Sequence, residues 1–258
     1  ENYGMVKTDP PAKYISDNDY SGNFKYFLDN KKIDQPFFFW VGGLEPHRRY
    51  EYQAGVKFGG KKVELIEKVP NYWPDSENVK TDILDYAFEI EYFDSHVEII
   101  INELEKRNLL ENTIIVVTSD NGMPFPRVKG QVFPYDNRLP LAIRWGKGIK
   151  NPGRVINDYV SFSDFAPTFL ELAGIDLANH NMGDFSGISW KSIFNDDPIQ
   201  KKRNYMIIGK ERHDVGREND KGYPVRAIIT DRFFYSLNFK PNRWPAGNPE
   251  TGYLNTDG

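Results

Sequence analysis

The strongest constraint on the fold is the passage from an amphipathic helix into a β-branched run. From Thr81 to Lys106, Ile83, Tyr86, Ile90, Phe93, Val97, Ile100 and Leu104 recur at spacings of three and four, the pattern of a helix with one apolar stripe. After a short connection at Leu109–Asn112, Thr113-Ile114-Ile115-Val116-Val117-Thr118 predicts a buried strand. The strand gives way abruptly to Ser119-Asp120-Asn121-Gly122. A second apolar run, Pro36-Phe37-Phe38-Phe39-Trp40-Val41, stops at Gly42-Gly43 and predicts a strand buried on both faces, as in a parallel sheet. Helix, turn, buried strand and polar loop in this order imply an α/β doubly wound sheet, whose ligands bind beyond the carboxyl ends of its strands.

Other elements follow the same rules. Asn23 to Leu28 predicts a short helix, Leu139 to Arg144 a strand, and Ser163 to Leu172 a helix that tolerates Pro167 in its first turn and stops near Gly174. After Asn195-Asp196-Asp197-Pro198 the character changes. Tyr205–Ile208, Arg226–Thr230 and Phe233–Phe239 predict short strands between polar turns. The expected organisation is therefore residues 1–199 as part of a main α/β domain and residues 200–258 as the start of a smaller antiparallel α+β subdomain.

Composition narrows the function. A net charge of -4 disfavours nucleic acid as the main partner. No stretch approaches the roughly 18 apolar residues that suggest a membrane span. The chain has no Cys, which removes disulfides, Cys-ligated zinc and a thiol nucleophile. It opens on Glu1-Asn2-Tyr3, with no initiator Met, as a mature or trimmed chain would.

Three segments carry chemistry. Asp120 and Asn121 offer adjacent hard oxygens suited to Ca²⁺ or Mg²⁺, although an Asx turn ending a strand uses the same residues. Glu45-Pro46-His47-Arg48-Arg49 places a histidine in a loop after the first apolar run, where it is either a proton donor and anion ligand or plain surface. Pro124-Phe125-Pro126-Arg127-Val128-Lys129 stiffens two cations just downstream of the Asp-Asn pair, an arrangement suited to a sulfate or phosphate ester or to a solvated basic turn.

Together, Pro36-Phe37-Phe38-Phe39, Glu45-Pro46-His47-Arg48, the long helix and Thr118-Ser119-Asp120-Asn121-Gly122-Met123-Pro124-Phe125-Pro126 resemble the type I sulfatases of the alkaline phosphatase superfamily. The Asn-Gly-Met-Pro-Phe-Pro wording resembles the heparan N-sulfatase (sulfamidase)-like branch in particular, and Ser161 to Ile175 is similar to a later helix of the family. The resemblance implies an alkaline-phosphatase-like doubly wound sheet, present here in part. It also implies Ca²⁺, with Mg²⁺ as the alternative, held by Asp120 and Asn121. His47 and Lys129 would act on the sulfate, with Arg127 the alternative to Lys129. Lys210, Arg212, His213 and Arg243 resemble family positions that contact the sugar or its other anionic groups.

The implied activity is hydrolysis of sulfate esters or N-sulfate groups on a sulfated, glycosaminoglycan-like saccharide. The family's nucleophile is a formylglycine made in Cys/Ser-x-Pro-x-Arg, and that motif and a pair of metal-binding Asp residues are absent here. They are expected upstream, in a missing N-terminal half of the same protein. The implied location is periplasmic or extracellular in a bacterium and lysosomal in an animal. Two other readings remain: a non-catalytic metal- or carbohydrate-binding remnant, and a phosphodiesterase of the same superfamily. The latter has only Asp176 and His180 as an Asp-x-x-x-His pair.

Overall fold

The computed structural model describes residues 4–32, 34–179, 182–199, 202–212 and 221–243. It divides into two compact units. Of the described residues, those within 4–110 and 123–129 form the first, and those within 111–122 and 130–243 form the second.

In the first unit, α1 (Tyr20–Asn30), the short α2 (Ala54–Lys57) and α3 (Glu77–Lys106) provide the helical frame. Asp19 starts α1 by accepting the Gly22 amide at 2.7 Å, and Ser76 starts α3 by capping Val79. The long helix exists as predicted, but its covered face follows the predicted stripe only in part. Thr81, Leu84, Asp85, Glu89, His96, Ile100 and Leu104 are buried, whereas Ile90 is exposed. The buried polar positions arise because this face receives loop backbone as well as apolar side chains. Asp85 accepts the amides of Gln53 at 2.9 Å and Gly55 at 2.8 Å. Ser21 Oγ lies 3.0 Å from His96 Nδ1.

The expected strand at 36–41 is corrected. These residues form no strand, and their burial alternates. Phe37 and Phe39 pack on the α1 rings of Phe24 and Phe27 at centroid distances from 4.8 to 6.4 Å. Phe38 and Trp40 are 75% and 79% exposed. Burial on two faces needs a layer on each side, and α1 supplies only one.

The second unit contains β1 (Ile115–Thr118), α4 (Pro134–Asn137), β2 (Leu141–Arg144), α5 (Phe165–Leu172), α6 (Lys191–Phe194), β3 (Tyr205–Lys210), β4 (Val225–Thr230) and β5 (Phe234–Asn238). β1 pairs antiparallel with β2, Ile115 facing Arg144 and Thr118 facing Leu141. β3, β4 and β5 form a separate antiparallel meander, with Ile207, Ile228 and Tyr235 in register. The strands predicted near 113–118, 139–144 and beyond 205 thus coincide with observed ones. Pairing among the described residues is antiparallel throughout, so the parallel neighbours expected beside β1 are not among them. One face of the meander closes over Val132, Val225 and Ala227, with Ile208 and Tyr223 packed alongside.

Asp164 organises the α5 region. Fully buried, it accepts Ser161 N, Ile188 N, Trp190 Nε1 and both ends of the Arg203 guanidinium.

Candidate functional site

The Asp-Asn pair sits directly after β1, in the second unit. Thr118 Oγ1 donates to Pro140 O at 2.7 Å, tying the end of β1 to the start of β2. Ser119 Oγ donates to Asn121 O at 3.0 Å, and Asn121 Nδ2 donates to Asp120 Oδ1 at 2.7 Å. The amide nitrogen is thereby committed, so Asn121 Oδ1 and Asp120 Oδ2 are the oxygens the pair could offer to a cation. Gly122 then meets α4: its amide donates to Asp136 O at 3.1 Å and to Asp136 Oδ1 at 3.0 Å. A Cβ on Gly122 would lie 2.3 Å from Tyr135 O, so only glycine fits this approach. Buried Asp136, which also accepts Gln131 N at 2.9 Å, is a supporting residue that sequence reasoning missed. Its only signal was a carboxylate beside Pro134 at a short helix start.

Two hard oxygens match the donor chemistry of a calcium or magnesium ion, yet fall short of the six to eight that calcium takes. No group of three or more His, Cys, Asp or Glu residues among the described residues could hold a metal by itself. The pair therefore fits part of a coordination sphere.

His47 and Lys129 meet in the first unit, 82 residues apart in sequence, with Lys129 Nζ 3.0 Å from His47 Nε2. The other ring nitrogen, Nδ1, lies 2.5 Å from the Arg48 carbonyl. A carbonyl only accepts, so Nδ1 carries the proton and Nε2 presents its lone pair to the ammonium. Lys129 follows Val128, which is 0% exposed and packs with Val69, Trp73 and Phe125. Trp73 Nε1 donates to Pro126 O at 2.8 Å, fixing the same segment. Arg127, the alternative cation, is exposed and has φ of 69°.

Arg48 lies beneath this pair. Its guanidinium forks onto both oxygens of Asp82, donates from Nε to Pro124 O at 2.8 Å, and stacks near the Tyr50 and Phe125 rings at 4.8 and 4.7 Å. Burial opposes its charge, but Asp82 outweighs that and raises the guanidinium above its ordinary value. Buried Glu89 lies in the same field. Burial, then the Glu45 and Asp85 charges, push its carboxyl up to about 8 against the opposing effect of Arg48.

Of the predicted sugar-side cations, Lys210, Arg212 and Arg243 lie in the second unit. Lys210, at the end of β3, donates to Gly130 O at 2.6 Å and so secures the loop before Val132. Arg212 is exposed just beyond β3. Arg243 donates to Gly222 O at 2.6 Å. His213 and His180 lie outside the described residues, and Asp176 accepts the Ala178 amide in a local turn.

Comparison with known proteins gives consistent matches. The Sulfatase family profile covers residues 1–175. An ulvan-active sulfatase of Formosa agariphila is 30% identical over 179 residues, 68% of this chain and 27% of that protein. The human N-sulphoglucosamine sulphohydrolase is 25% identical over 233 residues, 80% of this chain and 45% of that protein. This chain thus spans less than half the length of either curated relative. Among solved structures, one from work on glycosaminoglycan metabolism in Bacteroides thetaiotaomicron superposes with a TM-score of 0.67 at 19% identity, covering 87% of this chain and 54% of that one. The fold is accordingly the α/β, alkaline-phosphatase-like fold of the sulfatases.

Proposed function

Because the chain belongs to the sulfatase family, we propose that it supplies part of the active centre of an enzyme hydrolysing sulfate from a sulfated saccharide. The observation that carries this reading is the Lys129–His47 contact at 3.0 Å. An ammonium and an imidazole held side by side, on a chain of net charge -4, suit a tetrahedral oxyanion. The substrate class follows the named relatives, one an N-sulphoglucosamine sulphohydrolase and the other an ulvan-active sulfatase.

In this reading Lys129 donates to a sulfate oxygen and releases His47 Nε2. That nitrogen, having taken a proton from solvent, gives it to the departing oxygen or nitrogen of the sugar, while Arg48 O holds the Nδ1 proton in place. Asp120 and Asn121 would supply two of the ligands for a Ca²⁺ ion, or for Mg²⁺, and the ion would supply neutralising positive charge. Lys129 takes the sulfate role in preference to Arg127, since its buried neighbour Val128 and its contact with His47 hold it in place. Lys210, Arg212, His213 and Arg243 serve the sugar side. A formylglycine nucleophile belongs to a part of the protein upstream of this sequence, which has no Cys and no Ser-x-Pro-x-Arg. Residues 200–258 begin a smaller C-terminal subdomain. No helix among the described residues is long and apolar enough to cross a membrane, and an exported or lysosomal location follows the family.

The test is sulfate release from N-sulfated and O-sulfated glucosamine by the complete encoded polypeptide with Ca²⁺. The His47→Ala and Lys129→Ala variants should each lose at least about 100-fold in kcat/KM. Undiminished hydrolysis in both would refute the assignment. A gene without an upstream Cys/Ser-x-Pro-x-Arg would instead favour a metal- or glycan-binding remnant.

A further inference from the structure

Arg48 contacts His47 and the segment that carries Lys129. Its carbonyl receives His47 Nδ1 at 2.5 Å, and its guanidinium grips the segment that carries Lys129 through Pro124 O at 2.8 Å. We propose that Arg48, aligned by Asp82, is the positioning residue that holds His47 and Lys129 at anion-binding separation. This inference rests on the sulfate reading for its function, but its geometric content is independent of it.

Three features support it. First, three of the five guanidinium N–H groups are committed, in two directions. Nη1 and Nη2 take the two oxygens of Asp82, Nε takes Pro124 O, and the faces lie near the rings of Tyr50 and Phe125. Only a planar fork donates to a carboxylate along one edge while a third N–H points elsewhere; an ammonium of the same charge does not. Second, Asp82 sits on α3, so the clamp is referenced to a 30-residue helix and not to another loop. Third, the gripped segment is stiff. Trp73 fixes Pro126 O, and Phe125 and Val128 are buried within the same cluster. A shift at Pro124 is therefore passed along 124–129 to Lys129 rather than absorbed. The exposed ends of Lys129 and His47 have no comparable restraint of their own.

The experiment uses the complete encoded polypeptide labelled at His and Lys, and compares wild type with Arg48→Lys, Asp82→Asn and a control, Ile100→Val. Ile100 is buried on α3 away from the clamp. Two NMR readouts are taken: the nuclear Overhauser contact between the Lys129 ε-protons and the His47 ring, and the His47 ring shift on titration with inorganic sulfate. The expected result is loss of the contact in Arg48→Lys, with sulfate affinity falling about 10-fold or more, since misplacement by an ångström is that costly. Asp82→Asn should weaken both in the same direction, and Ile100→Val should change neither while lowering thermal stability.

If folded Arg48→Lys and Asp82→Asn keep the contact and bind sulfate within about two-fold of wild type, Arg48 is merely structural and the proposal is overturned. Should Arg48→Lys fail to fold, the milder Asp82→Asn decides. If His47 in the wild type ignores sulfate, the sulfate reading falls, and the positioning role stands or falls on the Overhauser contact alone.

Discussion

Arg203 engages both oxygens of Asp164, at 2.6 and 2.7 Å, although solvent does not reach the carboxylate at all. Burial alone would push this carboxyl up. The Arg203 fork, the amides of Ile188 and Ser161 and the Trp190 indole outweigh it and hold the carboxyl below its usual range. Removing the cation leaves a buried charge unmatched. Arg203→Met should cost about 3–5 kcal/mol in urea unfolding. The sign with pH follows from the depressed value. The stabilisation is present above the ordinary carboxylate range and is lost as pH falls through the lowered native value, so the variant should show less acid sensitivity than wild type.

Glu89 has the opposite sign. Its carboxyl rises from 4.5 to about 8 on folding, chiefly through burial. Between those values the native state holds a proton that the unfolded chain has released, so stability falls as pH rises, by up to about 1.4 kcal/mol per unit from this group. Glu89→Gln keeps the shape without the charge. It should flatten that slope and stabilise the first unit at pH 8 relative to wild type. Denaturant midpoints at pH 5, 6, 7 and 8 measure both effects; a slope unchanged by the substitution would contradict the assignment.

Gly122→Ala probes the seating of the Asp120–Asn121 pair. The added methyl would meet Tyr135 O at 2.3 Å, and backbone cannot swing aside as a side chain does. The variant should lose about 1–3 kcal/mol. Under the proposed function it should also bind Ca²⁺ more weakly than wild type at equal folded fraction, measured by isothermal titration on the complete polypeptide.

Tyr20→Phe removes a hydroxyl that donates to Glu45 Oε2 at 2.7 Å and accepts the Leu44 amide at 2.9 Å. Both residues belong to the turn that presents His47. With Glu45 buried, the lost partner should cost about 1–3 kcal/mol, read from the thermal midpoint.

Local pattern made much of the architecture legible. α3, β1 and the meander after residue 205 follow from spacing and β-branching, which short-range sterics dictate. Residues 36–41 were misread because an apolar run records what a segment can bury, not how many layers cover it. In the site, His47, Lys129, Asp120 and Asn121 drew notice as unusual residues after strand-like runs. Arg48 and Asp82 did not, because their pairing spans 34 positions and joins a loop to a helix face. A trace of it was present. Asp82, Asp85, Glu89 and His96 recur on α3 at spacings of three, four and seven, a second stripe beside the apolar one. A repeated polar stripe on a helix otherwise able to bury itself is the signal that loops dock there.

Asp85 shows what such docking does to local breathing. Surface-loop amides ordinarily exchange hydrogen through small fluctuations that leave neighbouring elements intact. The Gln53 and Gly55 amides end instead on a buried carboxylate in α3, so neither is freed until the loop parts from the helix. Kinetically they belong to the helix. In a deuterium-exchange experiment the two should exchange at one shared slow rate, which reports the parting of residues 53–55 from α3.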